Sequence, residues 1–181
     1  MNEMLKILAS RYSCRAYDNR VPEKKDLEAI ALAAVQSPSA MNLQPWQIAV
    51  INDKAFIEEM DAEGMRILSE AEDKSTYDRF MHRGGSLFYN APCMFIVLKR
   101  PGSDLDCGIV TENISLAATS LGMGNVICGM AGIPLSGSKK AEFAQKIGLS
   151  DEWEFGMAIL VGYAETDGTQ HEPDMSKIRF I

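Results

Sequence analysis

Apolar positions in this chain recur in two rhythms, one with the period of a helix and one in short runs suited to strands. Met4, Leu5, Ile7 and Leu8 make a helical stripe over residues 3 to 10 that stops just before Arg11. Pro22 suits the first turn of a second helix. Glu23 and Asp26 favour the positive end of its dipole, Leu27, Ile30, Ala31 and Ala34 form its apolar face, and Ser37 and Pro38 end it. Trp46–Ile51 reads as a buried strand, because Ile48, Val50 and Ile51 crowd into a run bounded by Pro45 and Asn52. Residues 93 to 98 form a second such run. Val110, Ile114, Ala117 and Leu121 predict a central helix over 104 to 121, opened by Asp104 and Asp106 and stopped at Gly122. Gly122, Gly124, Gly129 and Gly132 surround Val126 and Ile127, as expected where a strand's backbone must come close to something. Residues 136 to 147 read as helix, 155 to 161 as the last core strand, and 61 to 90 as irregular helix. This order suits a mixed sheet packed by helices within one domain spanning 1 to 181.

Composition narrows the partners. The 181 residues are 46% hydrophobic and 24% charged, ordinary for a globular protein with a sizeable core. A net charge of −7 disfavours nucleic acid or an anionic membrane as a general partner. The opening residues lack the pattern of a signal peptide and no apolar run reaches the roughly 20 residues of a membrane span, so the expected location is cytoplasmic. Cys14, Cys93, Cys107 and Cys128 form no Cys-x-x-Cys pair and are expected to be reduced. With only His82 and His171, no histidine-rich metal site is expected. The chemistry should come from a cofactor.

Two segments carry that expectation. Arg11 and Arg15 each stand two residues from Ser13, so an extended backbone projects all three to one side, where arginine forks and a hydroxyl suit one phosphomonoester. Residues 37 to 46 read Ser-Pro-Ser-Ala-Met-Asn-Leu-Gln-Pro-Trp and place Pro38, Ser39 and Asn42 at a helix end. By themselves these three are also common turn punctuation. Lys177 and Arg179 alternate near the chain end, as a second phosphate-binding pair or as a solvated tail.

Together these motifs resemble the FMN-dependent nitroreductase-like family, whose members open with Arg-x-Ser-x-Arg/Lys and continue with Pro-Ser-x-x-Asn-x-Gln-Pro-Trp. The resemblance implies an α+β, three-layer fold with a central mixed, mainly antiparallel sheet flanked by helices, in an intertwined homodimer with FMN at the subunit interface. It implies that Arg11 and Ser13 hold the phosphate and ribityl end and that Arg15 approaches the N1/O2 edge of the ring. Pro38, Ser39 and Asn42 would reach the flavin bound mainly by the other subunit. Cys128 and Gly129 would bring backbone near the ring, and Lys177 and Arg179 would add basic ligands. Ala40 stands where some members carry serine. Gln44, Pro45 and Trp46 are read as fixing the turn and packing the core.

The implied activity is hydride transfer from NAD(P)H through flavin N5 to a nitroaromatic, quinone or similar acceptor by a ping-pong cycle, with no catalytic side chain assigned. Two alternatives stand beside it: a specialised flavin enzyme of dehalogenase or dehydrogenase type, and a non-enzymatic FMN-binding sensor or carrier. No Gly-x-Gly-x-x-Gly fingerprint occurs, so a Rossmann dinucleotide site is not supported.

Overall fold

The computed structural model describes residues 2–181. Helix α1 (Glu3–Ser10) begins where the Asn2 side chain accepts a hydrogen bond from the Leu5 N–H at 3.0 Å, and it ends where the stripe runs out. None of its residues is buried. Helix α2 (Lys24–Val35) starts slightly later than expected: Glu23 takes the cap position, and buried Pro22 precedes the helix instead of opening it. Strand β1 (Trp46–Ile51) leads to α3 (Lys54–Glu70) and α4 (Ser75–Met81). Then come β2 (Cys93–Lys99), α5 (Asp104–Ser120), β3 (Gly124–Cys128), α6 (Lys140–Ile147) and β4 (Glu154–Gly162).

The four strands form one sheet in the order β1-β2-β4-β3, and every neighbouring pair is antiparallel. The parallel component is a single bridge between Ser13 and Asn125, outside the named strands. Central β2 is buried along its whole length, and its residues alternate between two cores as strand geometry requires. Met94, Ile96 and Leu98 join Phe56, Ile57 and Met60 of α3 and Phe143 and Ile147 of α6. Cys93, Phe95 and Val97 join Leu27, Ile30 and Ala34 of α2 and Val110, Ile114 and Ala118 of α5. β4 divides likewise, Ala158 and Leu160 to one side and Ile159 and Val161 to the other. The result is three layers, helix on sheet on helix.

Three readings of the sequence change. β1 is an edge strand with only Trp46 and Ile51 buried, one in each of the two cores, so the apolar run is covered in part on both faces and buried fully on neither. The helix expected over 136 to 147 starts at Lys140, after tight turns at Gly129–Gly132 and Pro134–Ser136. The irregular 61 to 90 segment contains most of the long α3, whose start was hidden in Asp53: its carboxylate accepts from the Phe56 N–H at 3.2 Å.

Loop 137 to 139 is fastened to α3 by Glu63, a residue only 5% exposed. Arg66 donates to it twice, at 2.9 and 3.0 Å, and the Ser138 hydroxyl donates at 3.3 Å. The Arg66 guanidinium, with help from Ser138 and the Lys139 backbone, holds the Glu63 carboxyl down from 4.5 to about 2. A depressed carboxyl stabilises the fold fully above its unfolded value and loses that contribution as pH falls through its folded value. Glu63→Gln is therefore expected to lower the urea midpoint at pH 7, and the difference from the parent should shrink steadily from pH 4.5 to pH 2. A difference that stays constant over that window would show that the ionised form is not what matters.

Candidate functional site at the β3 edge

After α1 the chain runs extended along β3. Cys14 is buried and Tyr12 packs against the same core, which leaves Arg11, Ser13 and Arg15 on the opposite side of this segment. The Cys14 N–H donates to the Asn125 carbonyl at 2.9 Å. Gly124 makes the approach possible: a Cβ there would stand 2.6 Å from the Cys14 sulfur and 2.9 Å from its Cβ. The glycine-rich stretch thus meets the arginine segment of its own chain.

The basic groups are uncommitted. Among the described residues neither Arg11 nor Arg15 forms an ion pair, although the chain carries 25 acidic residues against 18 lysines and arginines. Arg15 makes one long contact, 3.4 Å, to the Ser13 carbonyl. Its charge also reaches Cys128, where it opposes the effect of burial, the main cause pushing that thiol up from its ordinary value of 9.0. The Cys128 sulfur points at the Leu87 carbonyl, 3.8 Å away. It is a packed thiol, poorly suited to act as a nucleophile. Gly129 next to it is exposed. Arg11, Ser13, Arg15, Cys128 and Gly129 therefore share one edge of the sheet.

Pro38, Ser39 and Asn42 lie elsewhere in the protomer, at the end of α2. Buried Ser37 accepts from the Asn113 side chain of α5 at 2.8 Å. The Ser39 hydroxyl accepts from the Gln44 N–H at 2.9 Å, and the Asn42 carbonyl oxygen accepts from the Gln44 amide at 3.0 Å. Gln44 fixes this turn and Trp46 is buried, as read from the sequence. These bonds occupy acceptors and leave the Ser39 O–H and the Asn42 NH2 free to donate. Met41, Asn42 and Gln44 all have positive φ, 50°, 55° and 48°. Asparagine tolerates this region, but Met41 and Gln44 each cost about 1–2 kcal/mol there, so the loop is held at two positions in a conformation their side chains do not favour.

The chain end departs from the expected extended strand. Lys177 closes a tight turn at Met175–Lys177 and stands 3.9 Å from Asp174; Arg179 follows it in the exposed tail. Before that point the tail is tied to the arginine segment: Glu165 N–H donates to the Ala16 carbonyl, Tyr12 O–H to the Thr166 carbonyl, and the Gln170 amide to the Ser10 carbonyl. No described helix is long and apolar enough to cross a membrane, and no three of His, Cys, Asp or Glu cluster as metal ligands among the described residues.

A three-layer α+β protein with unpaired arginines on one sheet edge defines a class: a helix-sheet-helix scaffold with an edge suited to an anionic ligand. Residues 8–163 match the Nitroreductase family. A protein of Archaeoglobus fulgidus, provisionally named an NADH dehydrogenase/NAD(P)H nitroreductase, is 30% identical over 96% of this chain and 92% of its own. The crystal structure of a nitroreductase with bound FMN from Desulfitobacterium hafniense superposes with a TM-score of 0.95 at 45% identity, covering 100% of this chain and 99% of that one. A nitroreductase with bound FMN from Bacteroides fragilis gives a TM-score of 0.87 at 25% identity over all of both chains. This chain belongs to the Nitroreductase family.

Proposed function

We propose that this protein binds FMN and passes electrons from NAD(P)H to a small acceptor such as a nitroaromatic or quinone. The observation that carries the reading is the unpaired Arg11–Ser13–Arg15 edge in an acidic chain, and the two FMN-bound relatives support it. Arginines without carboxylate partners keep their charge-assisted hydrogen bonds for an anion. Arg11 and Ser13 would take the phosphate and ribityl end. Arg15, further along the same edge, would stand at the N1/O2 side of the ring, where a cation favours the anionic reduced form. The backbone from buried Cys128 into exposed Gly129 would lie against the ring. FMN, when bound, supplies hydride acceptance at N5 and its return to an acceptor. One pocket shared by donor and acceptor gives a ping-pong order, with solvent able to provide protons, so no side chain is assigned as a general acid.

The site is completed by a second copy. In one chain the uncommitted donors of Ser39 and Asn42 sit at the end of α2, with no hydrogen bond joining their loop to Arg11–Arg15 among the described residues. A homodimer brings one protomer's loop to the other's sheet edge. Exposed apolar side chains support it: Met4, Leu5 and Leu8 on α1, Leu32 and Val35 on α2, Met41 and Leu43 on the strained loop, and Ile178 and Phe180 in the tail. Lys177 and Arg179 would arrive with that tail.

The test is an absorbance spectrum of the purified protein, repeated without oxygen after adding NADH and then NADPH. A flavin spectrum that bleaches is the expected result. Bound flavin that neither nicotinamide reduces would shift the reading to a sensor, a carrier or a specialised flavin enzyme. Failure to bind added FMN would overturn the site.

A further inference from the structure

We propose that Asn125 is a positioning residue for the phosphate end of this site, and that with Ser115 and Thr119 of α5 it forms a buried polar clamp fixing where Arg11 and Ser13 stand. The proposal rests on the FMN reading above. Asparagine is disfavoured in strands, and an aliphatic side chain facing α5 from β3 would serve packing well. Yet Asn125 is 1% exposed and fully bonded. Its carbonyl oxygen accepts from the Ser115 hydroxyl at 2.6 Å. Its amide donates to the Ser115 carbonyl and to the Thr119 hydroxyl oxygen, both at 3.0 Å. The Thr119 hydroxyl in turn donates to the Ser115 carbonyl at 2.9 Å. Fully satisfied networks of this kind set one geometry in place of several.

What that geometry serves is visible on the other side of the same residue. The Asn125 carbonyl accepts from the Cys14 N–H, and Asn125 bridges Ser13. Arg11–Arg15 belongs to no named strand, so this pairing and the bare Gly124 beside Cys14 decide its register. A slip of one residue would turn Arg11, Ser13 and Arg15 to the opposite face. The side chain of Asn125 locks β3 to α5 while its backbone locks the arginine segment to β3. Thr119, the outer member, lines a small cleft together with Arg11 and Asn125.

The discriminating measurement compares FMN with riboflavin, which lacks the phosphate. Dissociation constants for both are read by flavin fluorescence on the full-length protein freed of flavin, with thermal melts in parallel. Asn125→Ala is expected to reduce the preference for FMN over riboflavin at least tenfold. Thr119→Ala should reduce it at least threefold, and Thr119→Ser, which keeps the hydroxyl, should restore it. Loss of both affinities in parallel would make the clamp merely structural and overturn the proposal. If Asn125→Ala does not fold, the Thr119 pair carries the same test. Arg11→Ala is the reference: if it collapses the preference and the clamp variants do not, positioning alone fails; if it leaves the preference intact, the phosphate reading fails and the positioning role with it.

Discussion

Replacing Arg11 with alanine is expected to weaken FMN binding by about 10- to 100-fold, the largest loss expected from any single side chain of the site. A hydrogen bond to a charged group contributes about 1.5–3 kcal/mol, and each 1.4 kcal/mol is a factor of ten in affinity. Arg11 is placed to do this because it is half-buried at the β3 edge and is not drawn away by any carboxylate among the described residues. Its removal takes away no ion pair, so the fold should stay intact and the melting temperature of the flavin-free protein should barely move. Activity with NAD(P)H should fall at low FMN and recover largely at saturating FMN, because the proposed role of the residue is to hold the phosphate end, away from the reacting ring. Equilibrium dialysis with FMN checks the affinity. An unchanged affinity would remove Arg11 from the site, and a collapse of the melting temperature without flavin would show that its role is in the fold.

Much of the scaffold was legible in the sequence because its signals are local. The stripe Met4, Leu5, Ile7, Leu8 defines α1 within one or two turns, and the glycine-flanked run at Val126 and Ile127 is a strand. The spacing of Arg11, Ser13 and Arg15 predicted a shared side, and the buried alternation of Cys14 with its neighbours agrees. What remained hidden depends on contacts distant in sequence. Nothing near Trp46 says that β1 lies at the sheet's edge, since that follows from β2 and β4 pairing with each other. Asn125 reads as a polar interruption in a strand until Ser115 and Thr119 are seen beneath it. Asp53 follows closely on the strand that ends at Ile51, where it reads as a strand boundary as readily as the cap of α3 that it is. The pairing of Glu63 with Arg66 has the i, i+3 spacing of a surface helix pair, and only the fold shows that it fastens a distant loop.

The substitution with the widest consequence is the double change Ile178→Asp with Phe180→Asp, which is expected to convert the proposed dimer to monomer and to abolish flavin binding together. Both side chains are exposed in the single chain, Phe180 at 94%, so a lone protomer loses nothing by the change. The surface that would receive them in a second copy is the groove between α1, α2 and α5, lined by Met4, Ile7, Ala33, Leu116 and Ala117. Burying a large apolar side chain contributes about 1.5–3 kcal/mol, and two side chains from each of two tails give about 6–12 kcal/mol. Ordering the tail offsets much of that, at about 1–2 kcal/mol per residue fixed, so the expected rise in the dimer dissociation constant is at least tenfold, a net loss of about 1.4 kcal/mol or more. Sedimentation over a range of protein concentrations measures it directly. Because the proposed site needs Ser39 and Asn42 of one protomer at the Arg11 edge of the other, flavin should dissociate in step with the subunits. A monomer that still holds FMN tightly would place the whole site within one chain, and a dimer that survives both aspartates would move the interface away from the tail.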